Sequence, residues 1–301
     1  MIPTYNCTGY LKEALLSVLA QDPGPAAMQI EVVDDASTDA DVAAMVASVG
    51  AGRVLYFRQP VNVGSLRNFE TCINRAQGHL VHLLHGNDRT VTGFYEKLTQ
   101  LFEQYPEAGA AFTHYASINE QGQRQHAPPP VAEVAGILPN WLLRIAEYQR
   151  LQYVSIAVRR AVYEKLGGFY GTSYGEDWEM WVRIAAHYPV AYIPEILAEY
   201  RGHTNSISWE KARSGEIIPD LMNVMARIQQ HVPKSDRHRI LALSKRYYAN
   251  FGIGTAYHLL HESQNWSQAH FHLLQALKLS KHPSVYYHIL KFYVKFLLRK
   301  T

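Results

Sequence analysis

Four short β-branched or apolar runs in the first 90 residues alternate with segments of helical periodicity, and each run stops at polar residues. Runs of that length, separated by helix-sized segments, pair as neighbouring parallel strands with the helices laid on the sheet faces. The expected class is α/β with a mainly parallel sheet flanked by helices. After "MIPTYN", Leu11, Leu15, Val18 and Leu19 recur at helical spacing over residues 10–21. "IEVVDDAST" stops at Asp34 and Asp35, "RVLYFRQP" reads as a third strand, residues 65–76 as a helix and "HLVHLL" as a fourth strand. In an open parallel sheet the ligand crevice lies outside the carboxyl ends of the strands, so residues 4–6, 34–37 and 85–88 are expected to converge there.

Farther on, residues 108–118 read as another strand, "QGQRQHAPPP" as an exposed loop, and "SIAVRRAVYEKLGGF" as strand, short helix and glycine turn. From about Ser206 helical periodicity takes over, which places a boundary between a domain at 1–208 and a helical extension at 209–301. Within the extension, "GTAYHLLHESQNWSQAHFHLLQALKLSKHP" resembles one helix–turn–helix unit of the tetratricopeptide type, which must pack on something else to bury its face.

With 301 residues, 48% of them hydrophobic, the chain can bury a sizeable core. A net charge of +3 without a long basic block argues against a nucleic-acid partner. Cys7 and Cys72 have neither metal-ligand spacing nor a disulfide framework around them, which fits a reducing cytoplasm. No apolar run reaches the roughly 18 residues of a membrane span, and no signal peptide is evident. The expected location is cytoplasmic, with peripheral contact at the inner face of the membrane.

Four segments carry chemistry, each with a plainer reading beside it. In "VVDDASTDA", Ser37, Thr38 or Asp39 would cap the next helix. Adjacent Asp34 and Asp35 need water, donors or a cation, and accepting a base or ribose donor is one use of them. "HGND" is either a turn before a helix or a metal site: Asp88 is a hard oxygen ligand for Mg²⁺ or Mn²⁺, which keep waters and take phosphate oxygens, and His85 is a borderline ligand. "YGEDWEMW" is either an acidic helix start with core aromatics or a pocket in which Asp177 is a general base. "EYRGHTNSIS" is either a solvated loop or a diphosphate clamp made by Arg201 and His203.

Taken in order, "IPTYN", "LKEALLSVLAQ", "EVVDDASTD", "VNVGSLRN", "HLVHLLHGND", "LGGF", "GEDWEMWVRIA" and "YRGHTNSIS" resemble the family 2 glycosyltransferases with the GT-A fold, which use nucleotide-diphospho-sugars. The resemblance implies that Pro3, Thr4 and Tyr5 line a nucleobase pocket, that Asp35 contacts the base with Asp34 beside it, and that Asp88 holds Mn²⁺ or Mg²⁺ on the diphosphate. It further implies that Asp177 is the catalytic base and that His203 lies near the metal or diphosphate. Two positions depart from the family. Asn87 stands where relatives usually carry an acid, and Met1 precedes "IPTYN" where relatives have several more strand residues, so a short first strand is expected.

These implications describe an inverting transferase, with a UDP-sugar the favoured donor and a glycan or lipid-linked acceptor, serving bacterial surface polysaccharide or lipopolysaccharide synthesis. The alternative is a non-catalytic sugar-nucleotide-binding or assembly module with a degenerate metal motif. A glycosidase lacks a second acid in a comparable setting. A nicotinamide dehydrogenase lacks its phosphate loop, since "GAG" at residues 50–52 precedes a strand. Finally, "KHPSVYYHILKFYVKFLLRKT" has five basic and no acidic residues among aromatic and aliphatic ones. It reads either as a packed helix or as one lying on an anionic membrane.

Overall fold

The computed structural model describes residues 1–172, 174–204 and 206–298; Asn205 of the "YRGHTNSIS" loop and Arg299, Lys300 and Thr301 of the tail lie outside the described residues. In chain order the elements are β1 (Ile2–Thr4), α1 (Thr8–Leu19), β2 (Glu31–Asp34), α2 (Val42–Gly50), β3 (Leu55–Arg58), α3 (Ser65–Arg75), β4 (Leu80–His82), β5 (Arg89–Thr90), α4 (Phe94–Gln104), β6 (Ala110–Ile118), β7 (Arg124–His126), β8 (Gly136–Ile137) and α5 (Trp141–Glu147). There follow β9 (Ile156–Arg159), α6 (Arg160–Leu166), α7 (Glu176–His187), β10 (Val190–Arg201), α8 (Ile207–Ser214), α9 (Ile217–Ile228), α10 (Arg237–Ser263), α11 (Trp266–Leu279) and α12 (Pro283–Leu297). The chain divides into two compact units. One takes Met1–Trp141, Arg150–Tyr170 and His187–Gly202; the other takes Leu142–Gln149, Gly171–Ala186 and the described chain from His203 onward.

In the first unit β1, β2 and β3 form a parallel sheet in that order, with Thr4 opposite Asp34 and Asp34 opposite Arg58. Leu84 N donates to Met1 O at 3.0 Å and Gly86 N to Pro3 O at 3.1 Å, so the hydrogen bonding continues from β1 onto the segment after β4. A second sheet runs β4-β9-β6-β10-β5, with β6 and β10 parallel and the other pairs antiparallel. The α/β class is as expected. Leu11, Leu15 and Val18 of α1 pack with Ile2, Val32, Leu84 and Phe94 in the core, which is the face their helical spacing predicts.

Three local features differ from the sequence reading. The twelve-residue β10 has no continuous strand pattern in the sequence, because its alternation breaks at Pro194 and Glu195. Its register against β6 shifts between Ile193 and Ile196 and again between Ile196 and Ala198, the mark of bulges. Part of "QGQRQHAPPP" is the exposed strand β7, held by backbone pairing to β6, where side-chain pattern gives no signal. The cap of α2 is Asp41, whose side chain accepts from Ala44 N at 2.9 Å; Ser37 and Thr38 instead bond Asn6 in the loop after β1, and Asp39 bonds Thr8 at the start of α1.

The second unit is helical. Trp178, Met180 and Trp181 of α7 are buried, so the tryptophans of "YGEDWEMW" are core residues. The expected helix–turn–helix forms from the end of α10 and α11, with Gln264 in the left-handed region at φ 49° and the Asn265 side chain capping α11 at Gln268 N. α11 packs on α9 and α10, and His272 Nε2 hydrogen-bonds the Ala212 carbonyl at 2.7 Å.

The join between β1 and the loop after β4 leaves no room for a side chain at Gly86, where a Cβ would lie 2.9 Å from both Cys7 Sγ and Thr4 Oγ1. Gly86→Ala is therefore expected to lower stability by about 1–3 kcal/mol. Gly9→Ala meets nothing within 4 Å inside α1 and should raise it by about 0.5–1 kcal/mol. Denaturant midpoints of the two variants moving in opposite directions would confirm this close approach.

Candidate functional site

The strand ends are tied to one another by their loops. Asp35 N donates to Thr4 O at 2.9 Å, Asn6 N to Ser37 Oγ at 3.0 Å, and Thr38 N to Asn6 Oδ1 at 2.8 Å. Asp39 accepts from both Thr8 N and Thr8 Oγ1 at 2.9 Å, which places a carboxylate at the positive start of α1. Asn6 and Ala36 both take positive φ, at 48° and 62°. For the alanine this is an unfavourable conformation, sustained by the bonds on either side of it. Pro3 and Thr4 are buried, while Tyr5 at the tip is 49% exposed.

The two adjacent acids avoid mutual repulsion by each having separate donors. Asp34 Oδ2 accepts from Tyr56 Oη at 2.7 Å and Arg58 Nη1 at 2.5 Å, and Oδ1 from Ser37 N at 2.9 Å. Asp35 Oδ2 accepts from Gly64 N at 3.0 Å and Asn62 Nδ2 at 3.1 Å, while Oδ1 accepts from Val63 N at 2.8 Å. A carboxylate oxygen has two lone pairs, so Asp35 Oδ1 keeps one acceptor direction beyond these bonds.

Residues 85–88 are built differently. The His85 ring lies between Phe69 and Tyr153, at centroid distances of 5.0 and 4.5 Å, and burial pushes its imidazole down to about 4, which leaves it neutral. Asp88 Oδ1 accepts from Arg201 N at 2.8 Å, and Asp88 Oδ2 is buried with no hydrogen-bond partner; His85 Nε2 is likewise buried without one. Burial pushes the Asp88 carboxyl up to about 7, against the pull of the Arg201 N–H and charge.

Arg201 is 1% exposed and commits four of its five side-chain N–H groups to the protein. Nε donates to Asn87 O at 2.8 Å, Nη1 to Asn119 O and Glu120 O at 3.1 and 3.0 Å, and Nη2 to Glu13 Oε2 at 2.7 Å. The guanidinium also lies 4.7 Å from the Tyr10 ring centroid. Glu13 in turn pairs with Arg89 at 3.0 Å, and Arg89 pairs with the buried Glu199. Glu13 carries no sequence signal, being one polar residue on an amphipathic helix.

No group of three or more His, Cys, Asp or Glu side chains assembles as a ready-made metal cage among the described residues. What the site offers is one unpaired carboxylate oxygen, Asp88 Oδ2. That donor fits a hard divalent cation which completes its shell with water and phosphate oxygens.

In the second unit, Asp177 lies in the first turn of α7, nearly buried, with burial pushing its carboxyl up to about 6. Its Oδ1 accepts from Trp178 N at 2.7 Å and its Oδ2 from Gln149 Nε2. Gln149 is itself held by its backbone N–H to Tyr248 Oη at 3.1 Å, and its Oε1 is buried without a partner. Trp178 donates to Ile145 O at 2.6 Å and packs 4.9 Å from Tyr248, fixing the start of the helix. Glu179 has a different setting, in an ion pair with Arg183 at 2.9 Å and a hydrogen-bond contact with His231 Nε2 at 3.2 Å. Sequence reading missed Gln149 because it lies in the irregular stretch between elements. Thus Pro3, Thr4, Tyr5, Asp34, Asp35, Asn87, Asp88 and Arg201 share the first unit, while Asp177 and the half-buried His203 belong to the second.

The profile of glycosyl transferase family 2 matches residues 1–174, more than half of the chain. Similar sequences include the uncharacterized protein MT1568 of Mycobacterium tuberculosis, 28% identical over 223 residues that cover 67% of this chain and 66% of the relative. Another is the uncharacterized protein Mb1547 of Mycobacterium bovis, 26% identical over 216 residues that cover 69% of this chain and 59% of the relative. The chain thus spans between 59% and 66% of the length of these relatives. Among solved structures, S. aureus TarS 1-349 in complex with UDP-GlcNAc superimposes with a TM-score of 0.69 at 17% identity, covering 96% of this chain and 86% of that one. The mannosyltransferase PcManGT from Pyrobaculum calidifontis, in complex with GDP-Man and Mn²⁺, gives 0.60 at 16% identity, covering 98% and 79%. The sheet with its flanking helices matches the GT-A fold of these solved structures, and this chain belongs to glycosyl transferase family 2.

Proposed function

We propose that the chain is an inverting sugar transferase acting from a nucleotide-diphospho-sugar, with a UDP-sugar favoured, onto a hydroxyl of a glycan or lipid-linked acceptor in bacterial surface polysaccharide or lipopolysaccharide synthesis. The observation that carries this reading is Asp88 Oδ2, a buried carboxylate oxygen left unpaired where the strand-end loops meet. The UDP-GlcNAc and GDP-Man held by two proteins of the same fold, one with Mn²⁺, support the donor class.

On this reading Pro3, Thr4 and Tyr5 line the nucleobase pocket, and Asp35 meets the base through the remaining acceptor direction of Oδ1. Asp34 braces the pocket through Tyr56, Arg58 and Ser37. Asp88, with Asn87 and His203 as further partners, would hold Mn²⁺ or Mg²⁺, which when bound neutralises charge on the departing diphosphate. Arg201 is assigned to positioning, because its donors are spent on the loop that carries Asp88 and on Glu13. The acceptor oxygen attacks the anomeric carbon on the face opposite the diphosphate. The bond from that carbon to the diphosphate oxygen breaks with its electron pair, and the acceptor proton passes to Asp177. Gln149 holds the Asp177 carboxylate in place for that transfer.

Asn87, standing where relatives carry an acid, favours a second reading as a non-catalytic sugar-nucleotide binder. Calorimetric titration of UDP-, GDP- and dTDP-sugars with and without Mn²⁺, followed by donor hydrolysis and transfer assays, separates the two. Metal-dependent binding with turnover supports the transferase, and binding without turnover supports the binder.

Asp177→Asn is expected to lower transfer by about 10²–10⁴-fold while leaving donor binding intact; retained turnover would remove Asp177 from the mechanism. Because a base must be deprotonated and the Asp177 carboxyl is pushed up to about 6, transfer should rise as pH increases through about 6. Gln149→Leu removes a donor that favours the carboxylate, so the same limb should move to higher pH, as a pH–rate profile would show. Arg201→Lys keeps the charge but loses the planar fork, and is expected to cost about 3 kcal/mol in chemical denaturation.

A further inference from the structure

α12 is apolar on two opposite sides. Val285, Ile289 and Phe292 are buried where the helix packs on α10 and α11, with Phe292 4.7 Å from the Tyr257 ring. On the other side Tyr287, Leu290, Val294 and Leu297 follow the three- and four-residue spacing of a single helix stripe. They are 62%, 64%, 45% and 78% exposed, and Tyr286 and Leu298 extend the patch. A helix apolar all round belongs in an interior, and a surface helix should turn polar residues outward. The outward stripe is therefore a surface built for contact.

Charge identifies what covers it. Residues 263–301 contain six Lys or Arg and no Asp or Glu, whereas the whole chain has 29 basic and 26 acidic residues; the first 262 residues thus carry 23 basic against 26 acidic. The positive charge of the protein is concentrated around the apolar stripe, with Lys291 and Lys295 on α12 and Lys281 just before it. A second copy of the chain would bring two such positive faces together, which is unfavourable. A bilayer with anionic headgroups offers both an apolar boundary for the stripe and phosphates for the lysines, and tyrosines suit that interface because their rings are apolar and their tips polar. No helix among the described residues is long and apolar enough to cross a membrane, so the contact made is with the surface.

We infer that the outward face of α12 seats the protein on an anionic lipid bilayer, with Tyr287, Leu290, Val294 and Leu297 entering the headgroup boundary and the exposed Lys281 and Lys291 meeting lipid phosphates. This goes beyond sugar transfer and stands or falls independently of it.

Flotation of the full chain with phosphatidylcholine vesicles, with and without phosphatidylglycerol, tests the assignment. The protein is expected to float with the anionic vesicles only, and added salt should release it. The paired substitutions Leu290→Gln and Leu297→Gln, both on exposed helix positions, should weaken that binding at least about tenfold and leave the circular dichroism melt unchanged. Equal binding to neutral vesicles, full binding by the double variant, or no vesicle binding at all would overturn the inference. Self-association that the same substitutions abolish, without vesicle binding, would assign the face to a second copy instead.

Discussion

Arg201 is a buried guanidinium at the end of a strand, and removing it would leave several groups without partners at once. Its backbone N–H holds one oxygen of Asp88, its Nε holds the carbonyl of Asn87, and its remaining donors gather the turn after β6 and the carboxylate of Glu13. A buried charge of this kind is tolerable only when hydrogen bonds replace the water it has lost, and here protein carbonyls supply most of them. The result is a loop whose aspartate has one oxygen fixed and the other left open. Position and availability of the acid therefore come from the same residue.

The layered class, the strand ends and the acids at them are readable from the sequence because they depend on local pattern: β-branched runs, helical spacing and polar stops. Arg201 is not readable in the same way. An arginine in a loop looks identical whether it faces phosphate or carbonyl oxygens, and its partners stand 81 to 188 positions away in the chain. Gln149 and Glu13 are hidden for the same reason, since their value comes from what the fold sets beside them. Asp34 shows the converse: a conspicuous acid beside Asp35 proves to be satisfied by Tyr56, Arg58 and Ser37, so the visible motif mixes one bracing residue with one that keeps an open acceptor.

Asp177 and Glu179 illustrate how two acids on one turn of helix are given different properties by their neighbours. Glu179 is matched by the charge of Arg183 and contacts the His231 ring, which makes it part of the helical core. Asp177 receives N–H donors but no matching cation in its hydrogen bonds, and burial then raises its affinity for a proton. The difference is one of compensation, since both carboxyls are nearly withdrawn from water.

The bulges in β10 act as a length gauge. Before them Val190 lies opposite Ala110 and Ile193 opposite Thr113, whereas beyond them Arg201 lies opposite Ile118; the strand has taken up three more residues than its partner. Because side chains alternate faces along a strand, an odd excess reverses which face each later residue presents. Without the irregularity around Pro194 and Glu195, the arginine would sit about 10 Å out of step and on the other side of the sheet. Chain length in that short span, more than the identity of its residues, decides whether the basic end of β10 and the acidic loop after β4 can meet.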